Sequence, residues 1–221
     1  MYGRNPKRGV ERGDGSSLQV QELFHTCQGE GPFAGQAAIF LRLGGCNLAC
    51  SFCDTEFESF ETWPVAQVMA RISHYHRQKG TSLVVMTGGE PMRQPIERLC
   101  LMLCDVGYKV QIETNGTLYR ELPEAVSIVC SPKASGGCYH PLRADMLARV
   151  DALKFIIAAD IPPYDAVPDV GQGVETPIYV QPMDMHDDVS ATRRNIQYTM
   201  RLAQQGGYYL SMQLHKLMDV A

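Results

Sequence analysis

The folded part of the chain opens with a clear alternation. "LQVQELFH", from Leu18 to His25, alternates apolar and polar positions, as a strand does when one face is buried and the other is wet. "AAIFLRLGG", from Ala37, is apolar almost throughout and predicts a strand covered on both faces. A helical period then takes over. In "PVAQVMARISHYHRQKG" the side chains of Val65, Val68, Met69, Ile72 and Tyr75 share one face, and Gly80 ends the run. "SLVVM", "YKVQIE", "VSIVCSPK", "DALKFII" and "PIYVQPM" predict further short strands. "PIERLCLMLCDVG" and "SATRRNIQYTMRLAQQGG" predict helices, the second capped by Ser190, and "YYLSMQLH" predicts a closing strand. Cys100 and Cys104 lie on the helical face of Ile96 and Leu103 and read as core.

Strands alternating with helices predict βαβ units and a mainly parallel sheet. A closed eight-unit barrel takes about 250 residues. The 221 residues here are short for that. The expected fold is therefore α/β, a partial, open (β/α)6-type barrel. No break in composition divides it, so one domain is expected over 18–221, preceded by a flexible Gly- and Arg-rich tail over 1–17. Ala158 to Pro177 breaks the pattern with four prolines and two glycines. A structureless loop longer than about 12–15 residues is usually functional or disordered, and a lid or a dimer contact is the expectation for it.

Charge and composition narrow the function classes. A net charge of −4 gives no footprint for nucleic acid or for an anionic membrane. No apolar run approaches the roughly 20 residues of a membrane span. The first residues, "MYGRNPKRGVERGDGSS", lack the apolar core of a secretory signal. The expected location is the cytoplasm, where clustered cysteines among the eight present point to metal or redox chemistry.

Three of those cysteines, Cys46, Cys50 and Cys53, stand as C-x3-C-x2-C inside "GGCNLACSFCDTEF". A 4Fe–4S cluster takes one thiolate per iron, so three would leave one iron open to a chelating ligand. Gly44 and Gly45 allow close backbone approach. Zinc is the rival, and it wants four ligands, with Cys27, Cys130 or Cys138 as the fourth. Spacing alone leaves both readings standing. "TGGEP", from Thr87 to Pro91, follows an apolar strand and is either a plain turn or a ligand contact.

With Phe52 directly before the last cysteine, the motif resembles the signature of the radical S-adenosylmethionine enzymes. The segments "TCQGEGPFAGQAAIFLRLGGCN", "SPK" (131–133), "QPMD" (181–184) and "QLHK" (213–216) resemble, in that order, the 7-carboxy-7-deazaguanine synthases among them. The likeness spans nearly all of Leu18 to Ala221. It implies conversion of 6-carboxy-5,6,7,8-tetrahydropterin to 7-carboxy-7-deazaguanine with loss of ammonia, a carbon–nitrogen lyase step toward queuosine. It implies a 4Fe–4S cluster on Cys46, Cys50 and Cys53, S-adenosylmethionine on the open iron, and Mg2+ on Thr55. For the pterin it implies contacts from Cys27, Gln28, Gly29, Glu30, Arg42, Thr87, His215 and the terminal Ala221. For the cofactor it implies Phe52, Cys53, Asp54, Gly89, Glu90, Asn115, Ser131, Pro132, Lys133, Gln181, Pro182, Met183 and Asp184. A homodimer and an electron donor such as flavodoxin or ferredoxin are implied as well.

The chemistry of these residues agrees. Arg42 offers a fork of donors to a carboxylate, and its place in an apolar strand demands an anionic partner. Gln28 and Glu30 suit the mixed donor and acceptor edge of a pterin. One departure stands out: Cys27 occupies a position where the family commonly has an apolar residue. Two rival functions share some of these features. A glycyl-radical activase would share the cysteines and the Gly-Gly-Glu run, and an electron carrier would want a fourth cysteine and no cofactor motifs.

Overall fold

The computed structural model describes residues 4–173 and 175–218. Among the described residues the strands are β1 (Ser17–Cys27), β2 (Ala37–Leu43), β3 (Glu61–Pro64), β4 (Leu83–Gly88), β5 (Lys109–Thr114), β6 (Ser127–Cys130), β7 (Ala134–Ser135), β8 (Cys138–Tyr139), β9 (Ala152–Ile157), β10 (Ile178–Pro182) and β11 (Tyr209–Leu210). The helices are α1 (Val65–Lys79), α2 (Glu97–Asp105), α3 (Ala144–Arg149), α4 (Val189–Gly206) and α5 (Leu214–Leu217). Nine strands form one sheet in the order β11-β10-β9-β6-β5-β4-β2-β1-β3. From β2 to β11 every neighbouring pair is parallel. Strands β1 and β3 close one side antiparallel. The two ends of the order do not pair, so the sheet is the expected open one.

The apolar runs became the central strands for the reason their pattern gave. Residues 83–86 of β4 and Ile128, Val129 and Cys130 of β6 are buried on both faces, as a parallel sheet under helices requires. The alternation of β1 carries a phase change. Leu18 and Val20 are buried, and the next core residue is Leu23. A register shift lies between Val20 and Glu22. The extra residue of such a bulge flips the strand's faces, so Leu23 returns to the core. Helix α1 buries Val65, Val68 and Ile72, and Gly80 closes it in the left-handed region at φ 70°.

Several expectations needed correction. Within the stretch expected as a flexible tail, residues 5–11 are laid against the fold, because they find partners there: the Arg8 amide donates to the Cys46 carbonyl at 2.7 Å and the Glu11 amide to the Arg93 carbonyl at 2.7 Å. Ser190 does not cap α4. The carboxylate of Asp188 does, accepting from the Ala191 amide at 2.8 Å. The predicted closing strand shrinks to Tyr209 and Leu210, and His215 lies in the helical turn α5. The edge strand β3, the β7–β8 hairpin and the short α3 have no strong period of their own. Ala158–Pro177 joins β9 to β10 without a helix, and Tyr164 within it is buried at 7% exposure.

Candidate active site

The parallel strands run toward one face, and the loops that leave their C-terminal ends surround a cavity of about 670 Å3. That is the end where parallel α/β sheets hold ligands, and the volume is in the range of small-molecule sites.

One wall is the cysteine loop between β2 and β3. Its ends are pinned by the Gly45 amide donating to the Phe57 carbonyl at 2.8 Å. Cys46, Cys50 and Cys53 are all free thiols and all line the cavity. Burial pushes all three thiols up, Cys46 to about 12, with Glu90 adding to it. Thiols held up this way ionise when a cation arrives to pair with them. The loop is tied inward through Asn47, which donates to the Thr117 hydroxyl at 2.8 Å and accepts from the Asn115 amide at 2.9 Å. Phe52 meets the ring of Tyr164 edge-on at 5.2 Å. The 158–177 connection thus supplies a buttress for the cysteine loop.

The glycines of "TGGEP" are there for close approach. A Cβ on Gly89 would lie 1.9 Å from the Gly45 carbonyl oxygen, and one on Gly88 2.3 Å from that of Leu43. Only glycine lets β4 end against the cysteine loop. Glu90 is a different matter. It is 1% exposed and turned away from the cavity. Its two oxygens accept from the Met92 amide at 3.0 Å, the Thr114 hydroxyl at 2.6 Å and the Asn115 amide at 2.7 Å. Burial pushes its carboxyl up against the pull of those bonds. The side chain expected at the cofactor is a brace between the ends of β4 and β5.

The opposite wall is a buried acid–base cluster. Lys154 of β9 is ion-paired to Glu30 and, at 2.7 Å, to Glu113. Glu113 also accepts from Gln111 at 2.5 Å and Gln28 at 3.3 Å, and Glu30 accepts from Gln213 at 3.1 Å. Burial alone would raise the Glu30 carboxyl. Attraction to Lys154, with bonds from Lys154 and Gln213, outweighs it and brings Glu30 down to about 2. Burial would lower Lys154, and the two carboxylates outweigh that and raise it above the ordinary lysine range. Two carboxylates and one ammonium leave a net negative charge in a nearly dry corner. Such a corner favours a ligand rich in N–H donors.

Between the walls lie Arg42, Thr55, Asp54, Lys133 and Lys216. Arg42 has found its anion in Glu22 at 2.5 Å, and its guanidinium reaches Thr55 Oγ1 at 3.4 Å. Lys216 bridges Asp54 at 2.6 Å and Asp184 at 2.8 Å. Lys133 donates to the carbonyl and hydroxyl of Ser131 at 2.7 and 2.6 Å, and burial lowers its ammonium. No described carboxylate pairs with it, which suits it to an anionic ligand.

The cavity therefore brings together Cys27, Gln28, Glu30, Arg42, Thr87, His215, Phe52, Asp54, Thr55, Gly89, Asn115, Ser131, Lys133, Gln181, Pro182, Met183, Asp184 and the three cysteines. Gly29 stands behind His215, where a Cβ would come within 2.4 Å of Nδ1. Pro132 and Glu90 do not reach the cavity surface, and Ala221 lies outside the described residues. Burial lowers the His215 imidazole, against the pull of Glu30. Lys154 and Glu113 join the site without having stood among the sequence candidates, and Gln213 and Lys216, quoted in "QLHK", gain a role that the motif alone did not give them. Lys154 carries a usable signal, a lone charge in the apolar run "ALKFII", the same signal that marks Arg42.

The donor set fits a cluster with one open iron. Cys130 and Cys138 do not line the cavity, and the Cys27 thiol donates to the Gln28 carbonyl at 3.6 Å. Three thiols on one loop, with no fourth cysteine of that loop beside them, match the ligand set of a cluster with one open iron better than the four ligands of a closed zinc site.

Comparison with known proteins agrees with this geometry. Residues 41–130 match the Radical SAM superfamily. The chain is 48% identical over 225 residues to the 7-carboxy-7-deazaguanine synthase of Rickettsia prowazekii, covering 100% of this chain and 96% of that one. It is 41% identical to the 7-carboxy-7-deazaguanine synthase of Rhodospirillum rubrum, covering 100% of both. The fold is similar to the crystal structure of QueE from Escherichia coli, with a TM-score of 0.70 and 24% identity over 89% of this chain and 94% of that chain.

Proposed function

The chain belongs to the 7-carboxy-7-deazaguanine synthase family of radical S-adenosylmethionine proteins, and from that premise we propose that its cavity contracts 6-carboxy-5,6,7,8-tetrahydropterin to 7-carboxy-7-deazaguanine with loss of ammonia. The observation that carries the proposal is the pairing of opposite walls in one cavity: three free thiols on one side, and the Glu30–Lys154–Glu113 cluster with Gln28 on the other. Cys46, Cys50 and Cys53 would hold a 4Fe–4S cluster, which together with S-adenosylmethionine would supply the radical chemistry that removes a substrate hydrogen.

The chain's own residues bind and orient. Glu30, kept ionised by Lys154, and Glu113 beside it accept from the N–H groups of the 2-aminopyrimidinone edge, and Gln28 adds a further polar partner. Arg42 turns from Glu22 and Thr55 to the substrate carboxylate, a bidentate match. Thr55 Oγ1, no longer bonded to Arg42, would then offer one hard oxygen donor to Mg2+. Lys133, without a carboxylate of its own, takes the anionic end of S-adenosylmethionine. Ser131 and the 181–184 segment line the same side. His215, held neutral by burial, closes over the pterin from α5. A flavodoxin- or ferredoxin-like electron donor, a homodimer and a cytoplasmic setting belong to the proposal on family likeness. No described helix is long and apolar enough to cross a membrane.

The test is an anaerobic assay of reconstituted, reduced protein with S-adenosylmethionine, Mg2+ and the carboxytetrahydropterin, read by mass spectrometry. Formation of 7-carboxy-7-deazaguanine is the expected result. 5′-Deoxyadenosine without that product would leave the cluster reading and remove the substrate. Neither product from protein with an intact cluster would overturn the enzyme reading.

A further inference from the structure

The N-terminal residues outside the family motifs reach the cluster loop, and they do so at its first ligand. Lys7 bridges Cys46 in parallel register, and the Arg8 amide donates to the Cys46 carbonyl at 2.7 Å. Asn5 is 8% exposed, and its side-chain amide donates to the Leu48 carbonyl at 2.8 Å. Leu48 lies between Cys46 and Cys50, so the strap holds the loop on both sides of its first turn. Farther out, the Arg8 guanidinium donates through Nε at 2.9 Å and through a terminal nitrogen at 2.6 Å to Glu58, beyond the last cysteine. It also sits 5.0 Å over the ring of Phe60. Phe60 in turn packs on Gly44, where a Cβ would come within 2.3 Å of the ring. The strap is anchored at its far end: Glu11 pairs with the buried Arg93 at 2.8 Å, and Arg93 donates to the Gly44 carbonyl at 2.8 Å.

These contacts form a bracket. The loop that carries the three thiols enters at Gly44 and leaves near Glu58, and Arg8 spans the two ends. The loop's own backbone bonds are few: the Cys53 amide to the Cys50 carbonyl at 3.2 Å, the Gly45 amide to the Phe57 carbonyl, the Leu48 amide to Cys46 Sγ at 3.4 Å, and the Glu58 and Ser59 amides to the Glu56 carboxylate. A loop with few internal bonds would sample many thiol arrangements, and ordering it costs conformational entropy. A bracket that absorbs this cost during folding leaves less to be met when the cluster binds.

We propose that residues 5–11 are a built part of the cluster site, with Asn5 and Arg8 as positioning residues that hold Cys46 and Cys50 in place and cover the outer side of the loop from solvent. The proposal rests on the reading of the three cysteines as cluster ligands. It concerns cluster retention and not the reaction itself.

The test compares the full-length chain with the double variant Asn5→Ala, Arg8→Met and with a chain lacking residues 1–9. Each is reconstituted with iron and sulfide without oxygen and measured for iron and sulfide per chain. Each is then exposed to air while the cluster absorbance is followed, and each metal-free protein is melted. The expected result is a full cluster in the unaltered chain and, in the double variant, cluster loss in air accelerated roughly five-fold or more with the metal-free melting temperature within about 2 °C of the unaltered chain's. Equal retention and equal decay in all three would overturn the strap. Faster decay that appears only together with a lower melting temperature in both variants would also overturn it, since general destabilisation explains that. An unaltered chain that takes up no cluster would overturn the cluster reading beneath it.

Discussion

Replacing Lys154 with methionine isolates what the buried cluster does for the protein. Glu30 titrates at about 2 in place of the ordinary 4.5, a drop of 2.5 pH units (4.5 − 2). At about 1.36 kcal/mol per unit, that is roughly 3 kcal/mol of stability at neutral pH. The Glu30 side chain is 17% exposed and Lys154 5%, so solvent screening removes only part of it. An independent route agrees: deleting one partner of a buried pair costs about 3–5 kcal/mol, because the other charge is left unmatched. The expected loss for Lys154→Met is therefore about 3 kcal/mol at pH 7.5, read by urea unfolding of the metal-free, reduced protein.

The pH dependence gives the sign. In the unaltered chain Glu30 is depressed, so its contribution is present above 4.5 and lost as pH falls toward 2. In the variant, Glu30 and Glu113 face each other without a cation, and one carboxyl rises above its ordinary value. That group is stable when protonated, so the deficit is largest at pH 7.5 and narrows as the pH is lowered. The same variant should bind the pterin more weakly, since its acceptors are no longer both fixed and ionised. A loss under about 0.5 kcal/mol, the scale of an ordinary surface change, or a deficit that widens toward acid, would refute the reasoning.

Three further outcomes follow from the packing. Gly89→Ala drives a Cβ to 1.9 Å from the Gly45 oxygen and 3.0 Å from the Cys46 amide nitrogen; it should cut iron and sulfide uptake several-fold, as chemical analysis after reconstitution would show. Gly29→Ala sets a Cβ 2.4 Å from His215 Nδ1 and 3.0 Å from its amide nitrogen; displacement of α5 should raise KM for the pterin about tenfold, roughly 1.4 kcal/mol, while iron content stays unchanged. Glu90→Gln must aim an NH2 group at either the Met92 or the Asn115 amide, since each donates to a different oxygen; the unmatched donor should cost about 1–3 kcal/mol in urea unfolding.

The order of the strands, the open parallel sheet and most of the cavity wall were legible along the chain. Periods of two and 3.6 fix which residues share a face, and ligands in such sheets gather where the strands end. The C-x3-C-x2-C spacing carries the grouping of the three thiols, because thiols on one short loop stay together in any fold, while the choice of a cluster over zinc comes from the family likeness. Arg42 was legible because a charge inside an apolar strand needs a partner, though the partner, Glu22 opposite it on β1, was not.

Tertiary structure decided the rest, and for one reason: which way a polar side chain turns depends on what the remainder of the chain brings beside it. Glu90 reads as a ligand-facing acid beside two glycines, yet the Met92, Thr114 and Asn115 donors draw it inward. Lys154 looks like one charge in a strand until Glu30 and Glu113, 124 and 41 residues distant in sequence, arrive on either side of it. The N-terminal segment has the composition of a loose tail and no period. Only the carbonyls of Cys46 and Leu48, which accept from the Arg8 amide and the Asn5 side chain, turn it into a bracket.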